Sequence, residues 1–132
     1  MANITPLHMA SATRQLADAR ELLQSGANVN AKGNDNNTPL HRASNERVTR
    51  ILLDHGADPN AQNSYNHTPL HEAVKSGRPE VAHALLDLGA EPNSPDIERR
   101  TPLHVASEAG YTECVRLLCG ATLTSTHGTA GI

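Results

Sequence analysis

Apolar residues along the chain recur at helical spacing, in short paired blocks separated by turn-forming stretches. Val81, Ala84, Leu85 and Leu88 fall on one stripe with a period near 3.6, while Glu80, His83 and Asp87 lie off it. Leu-Leu pairs mark the same kind of block at Leu22-Leu23, Leu52-Leu53, Leu85-Leu86 and Leu117-Leu118. Ahead of each block sits a shorter one in which Leu and Ala are three apart, as in Leu40 with Ala43, Leu70 with Ala73 and Leu103 with Ala106. The pattern predicts a short helix, a turn, a second amphipathic helix and a long turn, written four times.

The tetrapeptide Thr-Pro-Leu-His opens every copy, at Thr5-His8, Thr38-His41, Thr68-His71 and Thr101-His104, with intervals of 33, 30 and 33 residues. Its chemistry is that of a helix start. Thr is an N-cap, Pro takes the first helical position where its missing N–H costs nothing, and His stands third. The imidazole can then reach back to the Thr backbone, as Glu does in a capping box. Each second helix of the first three copies runs into Gly-Ala (Gly26-Ala27, Gly56-Ala57, Gly89-Ala90), and Gly89 supplies a left-handed helix end. The Pro/Asn-rich stretches that follow are turn material.

The pattern Thr-Pro-Leu-His-x-Ala, then Leu-Leu, then Gly-Ala-(Asp/Asn/Glu)-x-Asn at about 33 residues resembles the ankyrin repeat. The resemblance implies an all-α solenoid of four helix-turn-helix units joined by hairpin-like turns. It covers a single domain over residues 1–121, with units at about 4–36, 37–66, 67–99 and 100–121. Residues 122–132, rich in Thr and Gly and without periodicity, are expected to be a frayed or disordered tail, and Gly120 to end a short last helix.

Departures from the family pattern carry expectations of their own. Between the two helices of a unit the family favours Gly, which Gly77 and Gly110 match and Arg14 does not. The second unit is three residues short between His41 and Ile51, so its inter-helix turn must be tighter. Two residues before Thr, where the family favours a left-handed Gly, stand Asn36, Asn66 and Arg99. Arg tolerates that conformation less well than Asn, and a different turn near Pro95 is expected. Asp18 and Glu21 charge the second helix of the first unit, as suits a face with no neighbour.

Composition narrows the function. The 132 residues include no Phe and no Trp, so the core must be thin and built from Leu, Ala, Val and Ile. A net charge of -3 without a Lys/Arg cluster argues against nucleic-acid binding. No apolar run is long enough to span a bilayer, so no membrane insertion is expected, and Met1-Pro6 has no secretory character. Cys114 and Cys119, about 140° apart on one helix, do not suit a disulfide and are expected as small buried packing in an intracellular protein, cytoplasmic or nuclear.

Of the eight His, four belong to the helix-starting tetrapeptide. Helices packed about 8–10 Å apart would keep their rings from sharing one ion at about 2 Å per ligand. His55, His67, His83 and His127 show no ligand spacing, no residues converge as a catalytic set, and no glycine loop suits a phosphate. No catalytic residue, metal or cofactor is expected.

What varies between the units is surface. In an ankyrin-like stack the turn tips and the exposed side of the first helices form a concave face. Here the tips carry Asn34, Asp35 and Asn37, then Ser64, Tyr65 and His67, then Ile97, Glu98 and Arg100, with Lys75, Ser76, Glu108 and Ala109 on neighbouring first helices. Tyr65 and Ile97 are the expected anchors for a protein or peptide partner, and Glu98 and Arg100 its polar rim. Arg78 and Tyr111 open second helices as ordinary solvated positions. The resemblance implies an adaptor that is monomeric by itself, or alternatively a regulatory or masking domain of a larger enzyme or transcription assembly. It also implies hydroxylation at Asn30, Asn60 or Asn93.

Overall fold

The computed structural model describes residues 5–13 and 16–130. Among the described residues seven α-helices lie in two rows: α1 (Pro6–Ala12), α4 (Pro69–Lys75) and α6 (Pro102–Ala109) in one, and α2 (Leu16–Gln24), α3 (Glu46–Asp54), α5 (Pro79–Asp87) and α7 (Thr112–Ala130) in the other. The first row is completed by a 3-10 helix, Pro39–Arg42, packed between α1 and α4. Successive members of each row touch, so every unit is clamped by its neighbours. No strand occurs among the described residues.

Each tetrapeptide starts its helix by the expected chemistry. The Thr68 N–H donates to His71 Nδ1 at 3.1 Å, and the His71 N–H reaches Thr68 Oγ1 at 3.4 Å. Thr5 with His8 and Thr101 with His104 repeat the pair. The second unit differs because three residues are missing. Its first helix shrinks to one 3-10 turn, in which the His41 N–H donates to the Thr38 carbonyl at 3.1 Å. Ser44 closes the gap, donating through both its N–H and its hydroxyl to the Ser11 carbonyl, at 3.1 and 3.0 Å.

Leu7, Leu40 and Leu70 from the first row meet Val48, Leu52, Val81, Leu85 and Leu118 from the second, all buried. In α5 the buried stripe is Val81, Ala82, Ala84 and Leu85. Leu88 is not part of it: it stands one residue past the end of the helix, where the chain turns, and is 41% exposed. In the last unit Leu118, not Leu117, takes the fully buried place of Leu85. Cys114 is buried, and that burial first, then Glu80 and Glu113, pushes its thiol up; Cys119 is exposed, contrary to expectation, because it falls on the other side of α7.

α7 also overrides the expected stop at Gly120 and continues through Ala130. A helical Gly costs about 1 kcal/mol relative to Ala but does not forbid the conformation, and no Pro follows before residue 130 to break it. Arg14, Ile4 and the last two tail positions, 131–132, lie outside the described residues.

Candidate functional site

The three tips close with the same hairpin hydrogen bond, although in the first one Asp35 is left-handed too (φ 56°). Gly33, Asn63 and Asp96 each donate their N–H to the carbonyl four residues on, at Asn37 (2.8 Å), His67 (3.0 Å) and Arg100 (2.9 Å). The left-handed corner falls on Asn36 (φ 61°), Asn66 (φ 58°) and Arg99 (φ 64°). Arg99 therefore does not force another turn. The reason is Asp96, whose Oδ1 accepts the N–H groups of Glu98 and Arg100, both at 2.8 Å, and so dictates the loop from inside. Asn63 Oδ1 holds Tyr65 and His67 in the same way. Burial alone would raise the Asp96 carboxyl; the backbone donors from Arg100 and Glu98, with the charge of Arg100, outweigh it and hold it below its usual range.

The tips are also joined to one another. The Ser64 N–H donates to the Asp35 carbonyl at 2.8 Å, and the Ile97 N–H to the Tyr65 carbonyl at 3.0 Å. Side chains of the capping His complete the link from below. His8 Nε2 lies 2.7 Å from the Asn37 carbonyl, His41 Nε2 2.8 Å from that of His67, and His71 Nε2 2.9 Å from that of Arg100. In all three rings Nδ1 accepts the Thr N–H, which leaves Nε2–H to donate: the neutral tautomer. These histidines brace the tips, and their ring nitrogens are spent. Among the described residues no group of His, Cys, Asp or Glu could hold a metal ion.

Of the residues singled out in the sequence, Asn34, Asp35, Ser64, Tyr65, Ile97, Glu98, Lys75, Ser76 and Glu108 are exposed, with Tyr65 at 49% and Ile97 at 62%. Asn37, His67 and Arg100 are drawn inward. Asn37 Oδ1 accepts from Asn63 Nδ2 at 2.9 Å. His67 is wedged between Glu72 Oε2 (3.0 Å) and Asp96 Oδ2 (3.2 Å), and stacks on His71 with ring centroids 5.3 Å apart. Arg100 is pinned by Glu108, Glu98 and Asp96, and Glu108 first, then Glu98, raises its pKa. His67, Lys75, Arg100 and Glu108 line one groove between α4 and α6; the first tip, Ser64, Tyr65, Ser76, Ile97 and Glu98 do not line it.

Sequence reasoning missed Asn63, Asp96 and Val105. The first two share a signal, an Asx five residues before the Thr of the tetrapeptide, which sequence comparison between units could have found. Val105 and Met9 follow the capping His on the exposed side of the first helices, where Arg42 and Glu72 stand in the other units. Asn30 and Asn60 each clasp the following unit: Asn60 Nδ2 donates to the Gly89 carbonyl (3.2 Å) while its Oδ1 accepts the Glu91 N–H (2.7 Å), and Asn30 does the same with Gly56 and Asp58.

Among the described residues no helix is long and apolar enough to cross a membrane. A family model described as ankyrin repeats (3 copies) matches residues 7–96 and 62–127. No curated protein matches the chain. Tandem units braced by capping histidines and that match give one answer: the chain belongs to the ankyrin-repeat family, whose repeats are generally protein–protein interaction modules.

Proposed function

We propose that the chain is a recognition module that binds a folded protein or a peptide on the face carrying its tips and first helices. One observation carries the reading: Tyr65 and Ile97, large and 49% and 62% exposed, stand on tips whose backbones are bonded to each other and braced from below. A rigid exposed anchor loses little entropy when it docks. Tyr is, moreover, enriched among residues that dominate binding energy. The neighbouring polar positions, Ser64 and Glu98 among them, then orient the partner more than they hold it.

Affinity capture from the native source tests this, using wild type against a variant with Asn34, Asp35, Ser64, Tyr65, Ile97 and Glu98 changed to Gly or Ser. Asn63 and Asp96 are retained in that variant because they shape the loops. The expected result is loss of the wild-type partner with unfolding unchanged, and Tyr65→Ala alone should weaken binding by about 2 kcal/mol. A partner retained in full by the tip variant would remove this face from the function.

A further inference from the structure

Five Ser/Thr-Pro pairs occur in the chain: Thr5-Pro6, Thr38-Pro39, Thr68-Pro69, Ser94-Pro95 and Thr101-Pro102. A proline-directed protein kinase acts on such a pair, provided that the hydroxyl is free and the following Pro, with no N–H to satisfy, can enter its cleft. The structure separates the five.

Four of them are tied up in helix starts. The hydroxyls of Thr5, Thr38, Thr68 and Thr101 lie 2.7, 2.9, 3.0 and 2.8 Å from Nδ1 of His8, His41, His71 and His104. Each following Pro is the first residue of its helix, and Thr38 and Thr68 are buried as well. A kinase would have to unwind the first turn to reach any of these hydroxyls.

Ser94 stands in a different setting. Counted back from the tetrapeptide, Ser94 and Pro95 take the places of Ala31 and Lys32 in the first unit and of Ala61 and Gln62 in the second. There the Ala31 N–H donates to the Asn28 carbonyl at 3.2 Å, and the Ala61 N–H to that of Asp58 at 3.3 Å. In the third unit this bond is missing: among the described residues neither the N–H nor the hydroxyl of Ser94 has a hydrogen-bond partner. Ser94 is partly exposed, Pro95 is exposed, and the stretch from Ser94 to Asp96 is not helical. Pro95 in turn favours an extended backbone at Ser94, the shape a kinase cleft takes.

We infer that Ser94 is a phosphorylation site for a proline-directed serine kinase, with ATP as phosphoryl donor. Ser94 Oγ attacks the γ-phosphorus, the Oγ–P bond forms as the bond to ADP breaks, and the hydroxyl proton passes to a carboxylate of the kinase. The product carries about -1.5 to -2 charges near pH 7. They stand at the foot of the third tip, two residues ahead of the Asp96 that shapes it. The site does not depend on which partner the tips hold.

Incubating the folded full chain with a purified mitogen-activated protein kinase and Mg-ATP tests it, with intact-mass and fragment-mass spectrometry as the readout. A single phosphoryl group should enter, on Ser94, and none on the four Thr. Ser94→Ala, which copies the first two units, should take up none. Pro95→Gln, which copies the second unit and keeps the hydroxyl, should be modified about tenfold more slowly. Matching urea unfolding curves would show that both variants keep the fold. No uptake by the folded chain, uptake on any of the four Thr in place of Ser94, or an unchanged rate with Pro95→Gln would overturn the inference.

Discussion

The ring of Tyr111 lies over Gly77: a Cβ built on Gly77 would meet Cε1 and Cζ of that ring at 2.8 Å. Tyr111, expected as an ordinary solvated residue, is instead a contact between the third and fourth units. Gly77 is also left-handed, at φ 67°, where an L side chain costs about 1–2 kcal/mol. Gly110 has the same backbone (φ 77°) with nothing within 4 Å. Gly110→Ala should thus show the conformational cost alone, and Gly77→Ala that cost plus the displacement of the ring. Adding Tyr111→Ala to Gly77→Ala should recover the excess in a urea-unfolding cycle. Equal losses for the two glycines would mean the ring contact carries no energy.

Arg99 holds a left-handed corner without a glycine's freedom or an Asn side chain's tolerance. Its loop keeps the shape because Asp96 binds two of its N–H groups. Arg99→Gly should relieve the strain and, after the entropy gained by the unfolded chain, stabilise the protein by about 0.5–1 kcal/mol. Asn66→Gly, starting from a residue that accepts this backbone, should change little. Thermal midpoints of the two variants separate these outcomes; destabilisation by Arg99→Gly would show that the Arg side chain matters more than its backbone.

This contrast also explains what the sequence made legible. Helix starts depend on Thr, Pro and His within four residues, a local rule, and so they could be read directly. The shape of the third tip depends on Asp96; its place five residues before Thr, shared with Asn63, is a signal in the sequence, but what it does is plain only once its carboxylate is seen buried beneath Glu98 and Arg100. His67 and Arg100 looked like surface residues by type and position. Long-range partners, Asp96 for one and Glu108 for the other, fix them in place instead. The groove on Val105 went unread because a single Val on a helix does not announce which side it faces.

Leu70 is fully buried at the centre of the first row. Leu70→Ala should cost about 2–5 kcal/mol, with the spread set by how far its neighbours close the cavity. A loss well below that in denaturant unfolding would mean the stack collapses around the gap.

Asn60 bridges two units with both ends of its amide, whereas the Asn93 side chain makes no such clasp among the described residues. The cause is α7, which continues as helix past Gly120 where the other units have their Gly-Ala turn. Asn60→Ala should therefore cost about 1 kcal/mol, the net value of exposed hydrogen bonds, and Asn93→Ala close to nothing. Comparable losses at both sites would place the energy in the turns themselves.

Burial lowers the pKa of His8, His41 and His71, against partial opposition from the tip carbonyls that their Nε2–H groups meet. Protonation would also remove Nδ1 as acceptor for the Thr N–H, breaking the start of each helix. Unfolded His titrates near about 6.5, so below that pH the unfolded chain binds more protons than the native one. Stability should consequently be level above about pH 7.5, then decline as pH falls through about 6.5, until the lowered native values are reached. Asp96 adds a separate step in stronger acid: its folded pKa is depressed, so its contribution is present above about pH 4 and is lost as pH drops through the native value. Urea midpoints measured from pH 8 to pH 5 should fall, and His71→Gln should make that fall shallower by removing one of the titrating groups. A midpoint that stays flat or rises across this range would mean that the braced rings accept protons without losing their carbonyl and Thr partners.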